Sequence, residues 1–194
     1  SVSIIIPAKN EKMNIENTIK RIPDFGKDIE IIFVEGNSKD FTYEEILRVK
    51  QKYSDKKIIS LKQNGKGKGN AVEEGFAIAK GDLLIILDAD LTVPPEDLPK
   101  FYEAIIEDKA GLVNGSRFVY PLEKDSMRFL NMLGNKFFTN ILSYAIDQKL
   151  TDTLCGTKVI LRKDYLKIKK NKFFFGDFDP FGDFDLLFGA SKLG

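Results

Sequence analysis

The chain has 194 residues, 43% of them hydrophobic, with one cysteine, no histidine and a formal net charge of +1; this is enough for one globular domain with a sizeable core. Without histidine there is no imidazole base, no Ser-His-Asp triad and no imidazole metal ligand, and the near-neutral charge argues against nucleic acid as a partner. The single Cys155 forms neither an internal disulfide nor a thiolate zinc site, which fits a reducing cytoplasm, and it reads as a small packed residue.

In chain order, apolar runs at Val2–Ile6, Ile29–Val34, Ile58–Leu61, Leu83–Leu87 and Leu112–Val113 predict strands. Between them, residues 13–22, 42–53, 69–80 and 96–107 have helical spacing. This alternation predicts an α/β fold with a mostly parallel central sheet and helices on both faces. Beyond Ser116 the alternation fails. A long helical pattern over about 126–146, a short strand near Thr157–Leu161 and a last helix from about Asp183 complete the chain. Residues 1–116 read as a nucleotide-binding half and 117–194 as an acceptor-binding half of one domain, 1–194. Ser1 in place of an initiator methionine and Gly194 directly after a helical pattern suggest a piece cut from a longer chain. No signal peptide and no apolar run long enough to span a bilayer is found.

Four strand-end loops carry ligand-type residues. After the first strand, Pro7 is expected to end the ladder, with Asn10 and Glu11 offering polar groups at the sheet's carboxyl edge or simply capping a helix. Glu35-Gly36-Asn37-Ser38-Lys39-Asp40 follows the second strand; its first acid suits a base or ribose, and Asp40 suits a helix cap. Asn64 to Asn70 combines glycines that let a ligand approach the backbone with lysines that favour phosphate. It matches neither a P-loop nor the dinucleotide fingerprint. The fourth, Asp88-Ala89-Asp90, ends a strand apolar on both faces. Two acids leaving the core together repel each other unless a cation sits between them, so a hard divalent cation carrying a phosphorylated ligand is the economical explanation. A turn or helix cap is the plain alternative, and Asp-x-Asp recurs at Asp177/Asp179 and Asp183/Asp185.

Taken together, Ile4-Ile5-Ile6-Pro7-Ala8-Lys9-Asn10-Glu11, Val34 to Asp40, Gly67-Lys68-Gly69-Asn70-Ala71, Asp88-Ala89-Asp90 with Pro94-Pro95-Glu96, and Gly115-Ser116-Arg117 resemble family 2 glycosyltransferases of the Rossmann-like GT-A fold. The branch that makes dolichyl- or polyprenyl-phosphate mannose or glucose is the most similar. The resemblance implies a nucleotide-sugar donor, UDP- or GDP-linked, held by Pro7, Ala8, Asn10, Glu11, Glu35, Asn37, Gly67, Lys68, Asp88 and Ala89. It implies Mg²⁺ or Mn²⁺ on Asp88 and Asp90, inversion at the sugar, and acceptor-phosphate binding by Arg117 and Arg128. Thr92-Val93 stands where the polyprenyl-phosphate branch often has a polar pair with a glutamine, and Glu35 where many relatives have aspartate. Thr151 to Thr157 resembles the loop under the donor sugar, without the usual serine before glycine.

Gly182-Asp183-Phe184-Asp185-Leu186 resembles the segment that supplies a base in many of these enzymes, with Asp183 in the base position. A hydroxyl acceptor needs such a base, whereas an ionised phosphate does not; as an N-cap for the last helix, Asp183 needs no catalytic role. The helix over 126–146 is apolar around most of its circumference and suits a bilayer surface, a homo-oligomer contact or a buried core position. Lys163 to Lys172 followed by Phe173-Phe174-Phe175 has interfacial character, or is a solvated face beside a core cluster. The sequence therefore favours a cytoplasmic enzyme, peripheral at a membrane, that acts on a lipid phosphate. Transfer to a glycan hydroxyl is the alternative within the enzyme class, and a non-catalytic nucleotide-binding scaffold the alternative outside it.

Overall fold

The structure is a computed structural model that describes residues 1–107, 111–116, 137, 139–141, 143–144, 152, 155–170 and 183–193, with backbone alone at 183–185 and 193. In chain order the elements are β1 (Val2–Ala8), α1 (Lys12–Arg21), β2 (Ile29–Glu35), α2 (Thr42–Lys52), β3 (Lys57–Lys62), α3 (Gly67–Ile78) and β4 (Leu83–Ile86). A 3-10 turn at Pro95–Asp97 leads into α4 (Leu98–Glu107), followed by β5 (Leu112–Asn114), β6 (Lys158–Leu161), α5 (Arg162–Lys170) and α6 (Asp183–Leu193).

The six strands form one sheet in the order β3-β2-β1-β4-β6-β5. Strands β1 to β4 are mutually parallel. β6 runs antiparallel to both β4 and β5, so β5 points the same way as the first four. The predicted mostly parallel α/β sheet is borne out. Among the described residues the one opposing strand is β6, from the second half of the chain, which slots between β4 and β5.

Because the sheet is covered on both faces, its strands are apolar at consecutive positions. Ile4, Ile31, Phe33 and Ile85 face one core with α1, α2 and α4. Ile5, Ile32, Val34 and Ile86 face the other, with Val72 and Phe76 of α3, Tyr165 of α5 and Leu186 of α6. α1 buries Ile15, Thr18 and Ile19, and α2 buries Thr42, Ile46 and Val49, which is helical spacing along one stripe of each.

At the amino ends of the strands a buried polar pin joins three segments. Ser3 Oγ and the Lys80 N–H each donate to Glu30 Oε1 at 2.6 Å, and Lys57 pairs with Glu30 at 2.7 Å. Burial alone would raise the Glu30 carboxyl, but Lys57, Ser3 and Lys80 together hold it below its ordinary value.

Two expectations change. Pro7 does not end the ladder: β1 continues to Ala8, with Pro7 opposite Val34. Leu87 N–H donates to Ile5 O and Gly36 N–H to Ala8 O, so odd residues of β1 face β4 and even ones face β2. The donor that Pro7 lacks would point where β4 has already ended, so its loss breaks no ladder bond. The helix predicted from 96 starts at Leu98, because Pro94-Pro95 first forms the 3-10 turn. That turn is clamped to α1 by Arg21, which donates to both oxygens of Glu96 at 2.7 and 2.9 Å.

Of the 126–146 segment, residues 137, 139–141 and 143–144 are described and helical. Thr139 is buried, whereas Phe137, Ile141 and Tyr144, at positions i, i+4 and i+7, are exposed. In α5 only Tyr165 is buried, so its lysines form a solvated face; residues 171–175 lie outside the described residues. Among the described residues no helix is long and apolar enough to cross a membrane.

Candidate active site

The carboxyl ends of β1 to β4 open on one cleft of about 310 Å³. β1 and its loop contribute Pro7, Ala8, Lys9 and Glu11; β2 contributes Val34 and Gly36; Gln63 follows β3. Gly67, Lys68 and Ala71 come from α3, and Asp88, Ala89 and Asp90 follow β4. A larger cleft of about 730 Å³, lined by Pro23, Asp24, Glu30, Lys57 and Lys80 among others, lies at the amino ends of the strands. Open α/β sheets bind ligands beyond the carboxyl ends, where the chemistry-bearing residues of this chain also converge, so we place the site in the smaller cleft.

The acids sit on a tight turn. Leu91 N–H donates to Asp88 O at 3.3 Å, and Asp90 Oδ1 accepts from Thr92 N–H and Thr92 Oγ1, both at 3.0 Å. Leu91 has φ +59°, a left-handed conformation that costs a branched side chain energy and is found preferentially where a backbone is held for function. Asp88 continues β4 on the side of α3, and its Oδ1 lies 2.5 Å from Lys68 Nζ. Asp90 is exposed to the cleft, with no bond to Oδ2 among the described residues.

The roof over Asp88 is Gly156, which is buried. A Cβ there would collide with Lys68 Nζ and Asp88 Oδ2 and stand 2.7 Å from Asp88 Cγ. The turn carrying Gly156 is tied on both sides: the buried Lys158 ammonium donates to Cys155 O at 2.5 Å, and Gly115 N–H donates to Thr157 O at 2.9 Å. Cys155 is fully buried there, as a packed residue.

Of the expected donor-site residues, Pro7, Ala8, Glu11, Gly67, Lys68, Asp88, Ala89 and Asp90 line the cleft, whereas Asn10, Glu35 and Asn37 do not. Those three knit the walls. Asn10 Oδ1 accepts from Lys39 N–H, Asn10 N–H donates to Ser38 Oγ, and the buried Glu35 accepts from Ser38 N–H at 2.5 Å. Asn10 and Asn37 both take φ +57°, which asparagine tolerates better than most residues. Asp40 accepts from Thr42 N–H at 3.1 Å but does not occupy the expected cap position, which Phe41 takes at φ +64° with no side-chain cap bond; Asp40 also accepts from Lys12 N–H, which joins the first two loops.

Gln63 was not anticipated; Lys9 and Gly36 lie in the quoted motifs without being expected as site residues, and Gly156 belongs to the Thr151–Thr157 loop expected under the donor sugar. Gln63 Nε2 donates to Gly67 O and Asn70 Oδ1 at 2.7 and 2.9 Å and so sets the start of α3; its signal was a polar residue directly after a strand, as at Asp88. Arg117 and Arg128 lie outside the described residues. Asp183 is the first residue of α6, and its side chain lies outside them too.

Among the described residues no group of three acid, thiol or imidazole side chains gathers around one point. A divalent ion on Asp88 and Asp90 would therefore be completed by ligand oxygens and water. Magnesium-type sites have this donor set, with one or two carboxylates plus phosphate oxygens. The Lys68 ammonium against Asp88 indicates that this carboxylate is set up for a positive partner.

Residues 3–168 match the sequence profile described as Glycosyl transferase family 2. The chain belongs to this family. Its first 116 residues supply the cleft lining, so family and cleft coincide. A dolichol-phosphate mannosyltransferase of Pyrococcus furiosus is 38% identical over 137 residues, covering 70% of this chain and 38% of that protein. An undecaprenyl-phosphate 4-deoxy-4-formamido-L-arabinose transferase of Edwardsiella ictaluri is 32% identical over 138 residues, covering 68% and 42%. The chain thus spans well under half the length of these relatives. A mannosyltransferase from Pyrobaculum calidifontis, solved with GDP-Man and Mn²⁺, superposes with a TM-score of 0.66 at 20% identity over 95% of this chain and 50% of its own, which establishes the shared GT-A fold.

Proposed function

We propose that this chain transfers a sugar from a UDP- or GDP-linked donor to a polyprenyl phosphate, assisted by Mg²⁺ or Mn²⁺ and with inversion at the sugar. The observation that carries the proposal is the convergence of Asp88, Asp90 and Lys68 with the loops after β1 and β2 in one cleft at the sheet's carboxyl edge. The names of the P. furiosus and E. ictaluri relatives, one for dolichol phosphate and one for undecaprenyl phosphate, support the acceptor class.

Asp88 and Asp90 hold the ion, and Pro7, Ala8, Glu11 and Gly67 bound the space for the nucleotide. When bound, the ion neutralises the diphosphate and stabilises the nucleoside diphosphate as it leaves. Lys68 adds positive charge beside it. An oxygen of the acceptor phosphate forms the new bond to the anomeric carbon, from the face opposite the nucleotide. The bond to the diphosphate breaks, and its electron pair leaves with the nucleotide. The attacking oxygen is already ionised, so no base is required. Arg117 and Arg128 hold the acceptor, since guanidinium groups grip phosphate through paired hydrogen bonds. The exposed Phe137, Ile141 and Tyr144 supply an apolar stripe suited to a bilayer surface, where such an acceptor resides.

The test is incubation of the protein with UDP- and GDP-hexoses, Mn²⁺ and a short-chain polyprenyl phosphate in detergent, with products read by mass spectrometry. A polyprenyl-phosphate sugar is expected, formed within roughly ten-fold of the wild-type rate by Asp183→Asn, under about 1.4 kcal/mol. Loss of transfer in a folded, donor-binding Asp183→Asn protein would instead favour a hydroxyl acceptor. Nucleotide binding without transfer to any acceptor would favour the scaffold alternative.

A further inference from the structure

Lys68 is the second residue of α3, and no acid occupies that helix's first turn. A cation at this end of a helix faces the positive pole of the backbone dipoles and is unfavourable there. The ammonium is nevertheless held in place, 2.5 Å from Asp88 Oδ1, with 27% of the Lys68 side chain and 21% of the Asp88 side chain exposed. Gly67, at φ +84°, turns the chain so that α3 starts over the cleft. The backbone at Gly156 closes on the pair from the other side so tightly that a methyl group would strike both members.

The carboxylate that reaches the ion in the function proposed above is thus already occupied by a cation of the protein itself. We propose that Lys68 is an exchangeable counter-ion for Asp88, which makes divalent-ion binding dependent on the nucleotide. A divalent ion arriving alone must displace the ammonium from Asp88, and among the described residues lining the cleft the other acids are spoken for: Asp90 is needed for the ion, and Glu11 accepts from Asn14 Nδ2 at 2.7 Å. When a nucleoside diphosphate arrives with the ion, the diphosphate receives the displaced ammonium, and Asp88 exchanges one cation for another without any buried charge being left unpaired. Ion and nucleotide therefore enter as a positively coupled pair, and coupling of this kind commonly amounts to roughly 5- to 150-fold in affinity. A site of this design takes up a divalent ion more weakly alone than together with its donor.

This inference rests on the donor-and-ion proposal, and the experiment separates the two. Free Mn²⁺ is followed by electron paramagnetic resonance during titration of wild type, Lys68→Met, Lys68→Gln and Asp88→Asn, each with and without UDP or GDP. For wild type, weak Mn²⁺ binding alone and at least ten-fold tighter binding with nucleotide are expected. In both Lys68 variants Mn²⁺ alone should bind roughly ten-fold more tightly than to wild type, and the gain from nucleotide should shrink by a similar factor. Two Lys68 substitutions of different shape distinguish loss of charge from altered packing, and a melting curve for each confirms folding. Unchanged or weaker binding of Mn²⁺ alone to the Lys68 variants, with nucleotide coupling intact, overturns the counter-ion role and leaves the donor-and-ion proposal standing. If wild type and Asp88→Asn bind Mn²⁺ equally with either nucleotide, both proposals fall.

Discussion

Gly156→Ala should disable the site without unfolding the protein. The added Cβ would stand 2.7 Å from Asp88 Cγ, whereas carbon atoms reach ordinary contact near 3.5 Å, so one side must give by roughly 0.8 Å. Lys68 can swing aside at little cost because its ammonium ends a long flexible stem. Asp88 can give only by rotating its carboxylate out of the cleft position it holds beside Asp90, because its Cβ is fixed two residues beyond the end of β4. The turn cannot retreat, since Lys158 and Gly115 hold the carbonyls on both sides of Gly156. The displacement therefore falls on Asp88. Misplacement of a positioned group by about 1 Å costs on the order of a hundred-fold in rate, or ~2.7 kcal/mol of transition-state stabilisation. Steady-state transfer kinetics at saturating Mn²⁺, alongside thermal melts, measure this. A folded Gly156→Ala protein with kcat/KM within roughly three-fold of wild type, under about 0.7 kcal/mol, would refute the claim that Gly156 sets the place of Asp88.

Asp90→Ala should lower transfer on the order of a thousand-fold, ~4 kcal/mol, and excess EDTA should silence the wild type; full activity in either case refutes the ion's role. The buried Tyr165 hydroxyl has no hydrogen-bond partner among the described residues, and burial pushes its phenol up from 10 to about 12. A raised folded-state value means stability that is intact below pH 10 and is lost as pH climbs from 10 towards 12, by on the order of 2–3 kcal/mol. Tyr165→Phe should therefore be near neutral at pH 7 and flatten the alkaline limb of urea midpoints against pH. Glu30→Gln removes a buried carboxylate bonded to Ser3, Lys57 and Lys80 and should cost about 1–3 kcal/mol at pH 7. Because the Glu30 carboxyl is held below its ordinary value, that contribution is present at neutral pH and fades as pH falls through the acid range, so wild type and variant should converge in acid.

The first four strands and helices were legible in the sequence because each apolar run has one location in a sheet covered on both faces. Thr157–Leu161 was visible as a strand, but nothing local specifies that Lys158–Leu161 inserts between β4 and β5; that position comes from pairing across more than 70 residues with Leu83–Ile86. The cleft was readable from strand ends alone, since any loop at the carboxyl edge reaches it. The division between lining and wall was not. Glu35 has the chemistry of a ligand contact, yet Ser38 N–H claims it, because a buried acid takes the nearest donor available. Gly156 carries no chemistry of its own and shows its importance only through what lies against it.

The insertion of β6 also dictates an order of assembly during synthesis. On a growing chain, β1 to β4 can pair as they emerge, but until residues 158–161 follow, Leu83–Ile86 leaves its backbone N–H and C=O groups on that edge unpaired, on a strand whose side chains are all apolar. β5 cannot shield it, because β5 pairs only with β6. Such an unpaired edge is a template for wrong pairing until β6 covers it. When β6 arrives, one event seals the edge, seats β5 and brings Gly156 against Asp88, so no fragment that stops before it carries a finished site.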